Sequence, residues 1–144
     1  MTTLEDAALR QLALKVLAQH AGSAPGKEAL VAAVRRAYDD LARVSAPLIG
    51  QVGVDALTGR ALHLAQRAHP WLVHAREPEQ WKGPFDQIIF NLERQDPAVA
   101  TEAAGAVFGT LTGLLVSFIG EPIAVGLLRQ AWPDAFDEPR TEET

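Results

Sequence analysis

Apolar residues recur along this chain at the spacing of a helix face. Leu9, Leu12, Ala13, Val16 and Leu17 follow an i, i+3, i+4, i+7, i+8 series, and Thr3 with Asp6 has the form of a capping box ahead of them. The breaker run Gly22-Ser23-Ala24-Pro25-Gly26 ends this first helix. A second carries Leu30, Ala33, Val34, Ala37, Leu41 and Val44 on one face, and Arg35, Arg36, Asp39, Asp40 and Arg43 mostly elsewhere. Pro47 is expected to restart the chain. From Val54, the residues Leu57, Ala61, Leu64, Ala68 and Trp71 continue a 3-4-3-4-3 seam that Pro70 should stop or kink. Pro78, Gly83 and Pro84 punctuate the middle, with one turn expected around Glu79 to Lys82, before a short helix that buries Phe85, Ile88, Ile89 and Leu92. Asp96-Pro97 opens the next helix with an N-cap acid and a proline at the first helical position. A last helix runs from Glu121-Pro122 to Trp132. No alternating run is long enough to require a strand, and there is no internal repeat. The pattern predicts an all-α fold: one domain over residues 1–133, a compact bundle of five or six helices, followed by an acidic, frayed tail over 134–144.

The helix after Asp96 is the most informative segment. Ala103 to Gly120 contains no charged residue. Gly105, Gly109 and Gly113 lie four apart on one face, which Val116 and Gly120 extend, while Val107, Leu111, Leu114 and Phe118 line the other. A glycine inside a helix costs about 1 kcal/mol relative to alanine, so three on one face call for an offsetting gain, and close approach of another helix supplies one. Gly105, Gly109, Gly113 and Val116 are therefore the expected packing face of a central helix, covered either from within the chain or by a second copy across a two-fold axis. Phe108, Leu111, Leu115 and Phe118 would wall a pocket if the space beside this helix held an apolar ligand. The run would reach about 27 Å as a helix, the lower edge of a bilayer span. Its flanks weigh against a membrane: Glu102 and Glu121 bound it, no Lys or Arg stands within a turn, and no Trp or Tyr sits at either boundary.

Charge alters the picture less than the net value of -5 suggests. Asp134, Asp137, Glu138, Glu142 and Glu143 against Arg140 give the last eleven residues a net of -4, leaving a nearly neutral body with 13 acids and 12 bases. Its basic residues are scattered, with Arg35-Arg36 the only adjacent pair, so no stripe is available to a nucleic-acid backbone. The absence of cysteine removes disulfides, thiolate nucleophiles and cysteine-ligated metals. Met1 to Asp6 shows no basic region leading into an apolar one, and a cytoplasmic location is the expectation.

Candidate chemistry is sparse. Gly22 to Glu28 is one residue short of a phosphate-binding loop, places Glu28 where a magnesium-ligating hydroxyl is needed, and follows a helix where that loop needs a strand. His20, His63, His69 and His74 show no i, i+3 or i, i+4 spacing for a metal, and none is expected. His63 has Gln66 and Arg67 where a phosphotransfer helix carries lysine and a space-clearing glycine. No nucleophile elbow is present, Ser23, Ser45 and Ser117 lack a local base, and Asp39-Asp40 point to different sides of a helix. Arg60, His63 and Arg67 share a helix face suited to an acidic partner, and Trp81, between a predicted turn and Gly83, is the best aromatic anchor. The expectation is a non-enzymatic interaction or regulatory module without cofactor, acting as a homodimer and docking a protein partner in a signalling system. The alternatives are an apolar-ligand sensor and a membrane-associated helical hairpin.

Overall fold

The computed structural model describes residues 6–21, 26–72 and 83–136. Its elements are α1 (Asp6–Ala21), α2 (Lys27–Ala65), a 3-10 turn (Pro70–Leu72), α3 (Pro84–Leu92), α4 (Pro97–Ile119), α5 (Glu121–Ala131) and α6 (Pro133–Phe136), an all-α bundle with no strand among the described residues. The faces read from periodicity are the ones that pack. Leu9, Ala13, Val16 and Leu17 of α1, Leu30, Ala33, Val34, Ala37 and Leu41 of α2, and Ile88, Ile89 and Leu92 of α3 are all buried. Pro97 stands at the first turn of α4 behind Asp96, although the Asp96 side chain makes no capping hydrogen bond.

Pro47 does not restart the chain. It lies inside α2, and the break comes three residues later at Gly50, whose φ of 83° and ψ of 156° occupy a region open essentially to glycine alone. The bend is steep. Twenty residues of straight helix would separate Tyr38 from Thr58 by about 30 Å, yet their hydroxyl oxygens are 3.2 Å apart. The arm after Gly50 thus folds back along the arm before it. Thr58 Oγ1 donates to the Val54 carbonyl at 2.8 Å, which leaves the Tyr38 hydroxyl to donate to Thr58. Tyr38 is stacked on Phe85 of α3, with centroids 3.9 Å apart. In the returning arm Val54, Thr58, Ala61, Leu62 and Ala65 are buried, while Leu57 and Leu64 of the expected seam lie at its margin and Ala68 is exposed beyond the helix end. Below this arm, Asn91 Nδ2 donates to the carbonyls of Leu72 and Gln87, both at 3.0 Å, tying the 3-10 turn to α3.

A second reversal follows at Gly120 (φ 92°, ψ 151°), between α4 and α5. The returning α5 ends in Trp132, which is buried, donates Nε1–H to the Ala37 carbonyl at 3.1 Å and meets Phe108 edge-on at 6.0 Å. The packed body also extends past Pro133. Ala135 of α6 is buried, and the Asp134 carbonyl accepts a hydrogen bond from Gln19 Nε2 at 3.1 Å, so the first residues assigned to the tail belong to the bundle.

Candidate functional site

Helix α4 is the element around which the rest is arranged. Its glycine face is closed by α1, which runs antiparallel to it: Leu14 lies against Gly105, and Arg10 lies against Gly109 one turn further on. A Cβ built on Gly109 would sit 3.1 Å from Arg10 Cα and 3.3 Å from its backbone nitrogen; on Gly105 it would sit 2.6 Å from Leu14 Cδ2. The α1 backbone approaches Gly109 closely and the Leu14 side chain fills the space over Gly105, which leaves no room for a second copy on the Gly105–Gly109 part of the face. Beside it Arg10 pairs with Glu102. Gly113 and Val116, the outer part of the same stripe, are only half-buried. Thr112, fully buried, returns its hydroxyl to the carbonyls of Phe108 (2.9 Å) and Gly109 (3.0 Å), so its presence in an uncharged helix costs no orphaned donor.

The expected pocket wall divides. Phe108, Leu111 and Leu115 are buried, but Phe118 is 64% exposed and walls nothing. The spaces beside the three buried residues are small. One, lined by Tyr38, Ser45, Ile49, Val54, Leu111 and Leu115 among others, and another, between Val34, Phe85, Ala104 and Phe108, each hold about 10 Å³. That is about the room of one water molecule, well short of the several hundred Å³ that small-molecule sites enclose. Ser45 Oγ, buried at the edge of the first, has no hydrogen-bond partner among the described residues. By length and composition α4 could cross a membrane, but half of its most apolar stretch is buried inside the bundle.

Two open grooves flank α4. One, about 350 Å³, is lined by Arg10, Leu64, Thr110, Gly113, Leu114 and Ser117; the other, about 280 Å³, lies between Leu14, Leu17, Ala21, Leu30 and Thr101. Arg60, His63 and Arg67 are exposed on or just beyond the returning arm of α2, and among the described residues neither arginine makes an ion pair. Trp81 and His74 lie outside the described residues. His20 approaches Asp40 at 3.9 Å, and among the described residues no three metal-ligating side chains gather. Burial raises the pKa of Tyr38, the Thr58 hydrogen bond opposes this, and the charges of Asp55 and Asp39 raise it further.

Sequence reasoning missed the exposed apolar residues. Leu48 and Val52 flank the Gly50 reversal, and Phe118 and Ile123 flank the one at Gly120; they are 53%, 83%, 64% and 53% exposed. A signal for the first pair was present: Val44 to Val54 is a second run without charge. The chain matches no protein-family model, no curated protein and no solved structure.

Proposed function

We propose that this chain is a non-enzymatic helical interaction module that acts as a homodimer and presents its helices to a protein partner in a regulatory role. The observation that carries the reading is a filled core that nonetheless leaves Leu48, Val52, Phe118 and Ile123 on the outside. Exposed apolar patches mark surfaces that contact a protein, a membrane or a ligand. The Arg60–His63–Arg67 face, with Leu64 at the edge of a groove beside it, supplies a separate, cationic surface for an acidic partner. Light scattering coupled to size exclusion, without detergent, tests the oligomeric part. A dimer whose mass falls on dilution supports it, and a monomer at every concentration refutes it.

A further inference from the structure

Of the five large apolar side chains exposed among the described residues, four, Leu48, Val52, Phe118 and Ile123, fall at one end of the bundle, as the register of the helices shows; the fifth, Val99, lies in the first turn of α4 at the other end. The first arm of α2 and helix α4 run side by side in the same direction. Val34 shares a cavity wall with Ala104, Tyr38 and Leu41 share one with Leu111, and Ser45 and Ile49 share one with Leu115. The offsets lie between 66 and 73 residues, which brings Leu48 to within about a turn of Phe118 and the Gly50 reversal to the same end as that at Gly120. Helix α5 returns from the same end, since its C-terminal Trp132 reaches back to Ala37. Both uncharged runs, 44–54 and 103–120, therefore finish at one end of the bundle.

We propose that this end, formed by Leu48, Val52, Phe118 and Ile123, seats a second copy of the chain about a two-fold axis. The proposal rests on the homodimer reading above and gives it a location, now that α1 occupies the glycine face. Area supports it: the four side chains leave on the order of 450 Å² accessible, so an isologous pair would bury roughly 900 Å² from them alone. Half-buried neighbours such as Ile49 and Ile119 bring this to about the 1,000 Å² that a specific, weak dimer needs. Charge favours a second copy over a lipid surface. Neither run contains Trp or Tyr; Asp55, Glu102 and Glu121 flank the two runs, and the one flanking cation, Arg43, is paired with Asp40 at 3.3 Å, so the interfacial aromatics and unpaired cations that hold a protein on a bilayer are missing from both runs and their immediate flanks.

The test is sedimentation velocity on the full chain over a wide concentration range, comparing the parent with Val52→Glu, Phe118→Glu and, as a control at the opposite end of α4, Val99→Glu. The expected result is a dimer whose dissociation constant rises more than about tenfold in the first two variants and is unchanged in the third, because burying an unpaired carboxylate is costly. Because the chain has no cysteine, Val52→Cys and Val99→Cys give a second measurement that adds no charge: a short bismaleimide should cross-link copies through position 52 and not through 99. A parent that stays monomeric overturns both the homodimer reading and its location. A dimer indifferent to Val52→Glu and Phe118→Glu, or cross-linked through 99 instead of 52, overturns the location alone. A monomeric parent that co-sediments with phosphatidylcholine vesicles, and loses this in Val52→Glu, replaces the second copy with lipid.

Discussion

Alanine at Gly109 and at Gly126 begins from the same intrinsic advantage and should end with opposite signs. In a helix interior the change from glycine to alanine is worth about 1 kcal/mol from propensity alone. At Gly126 of α5 a new Cβ meets nothing within 4 Å, so Gly126→Ala should realise most of that gain. At Gly109 it would meet Arg10 Cα, Cβ and N at 3.1, 3.2 and 3.3 Å. These atoms belong to the backbone and Cβ of α1, which can yield only by moving as a rigid helix, and overpacking of this kind costs about 1–3 kcal/mol. Gly109→Ala is therefore expected to be destabilising by up to about 2 kcal/mol, against a stabilisation of about 0.5–1 kcal/mol for Gly126→Ala. Gly109→Leu goes further. Lifting α1 would re-expose Leu9, Ala13, Val16 and Leu17, on the order of 5–8 kcal/mol of apolar burial, which is comparable to the whole stability of a domain this size. Urea titrations followed by far-ultraviolet circular dichroism give the two alanine values, and the spectrum without urea shows whether Gly109→Leu folds. Equal stabilisation by alanine at the two positions would refute the close approach of α1 and α4, and a folded Gly109→Leu would refute closure of the glycine face within one chain.

The remaining expectations concern the bend in α2 and the bundle behind it. Gly50→Ala and Gly50→Asn should each cost about 1–3 kcal/mol through backbone strain alone, because no atom lies within 4 Å of a Cβ there and the φ, ψ pair falls outside the left-handed helical region in which asparagine is tolerated; thermal melting measures both, and a neutral Gly50→Asn would count against the bend. Tyr38 is the only tyrosine, so tyrosinate absorbance reports on it alone and should titrate above pH 10.0 in the folded chain. With the folded pKa above the unfolded one, its contribution is intact below the unfolded value and is lost as pH rises through the folded value. Tyr38→Phe should accordingly weaken the alkaline loss of stability while costing about 1 kcal/mol at neutral pH through the lost Thr58 contact. Trp132→Phe removes the hydrogen bond to Ala37 and part of the edge contact with Phe108, and should cost about 1–3 kcal/mol by urea denaturation.

Helix faces were legible wherever polar and apolar residues alternate around the helix, as in α1, α3 and the first arm of α2. They were illegible where that contrast vanishes. In α4 every side of the last two turns is uncharged, so periodicity could not tell buried Leu115 from exposed Phe118. Pro47 drew the expected break upstream because proline is the stronger local signal. The chain turns instead where a backbone conformation reserved for glycine is needed, and composition does not announce conformation. The glycine stripe correctly announced a close helix neighbour, but nothing local identifies that neighbour as α1, some ninety residues earlier. The candidate surface fared in the same way: Arg60, His63 and Arg67 were readable from their spacing as one helix face, whereas the apolar end exists only once two reversals distant in sequence stand side by side.

That α1 rests on a helix ninety residues downstream also bears on how the chain is made. Between the emergence of Leu14 and that of Gly105 a ribosome adding about 5–20 residues each second needs roughly 5–20 seconds, during which the first helix has no glycine face to dock against. For that interval Leu9, Val16 and Leu17 must be held by the first arm of α2, by a chaperone, or by nothing. Nascent chains that stop short of α4 thus expose the apolar face of α1, and completion of the bundle waits for the synthesis of α4.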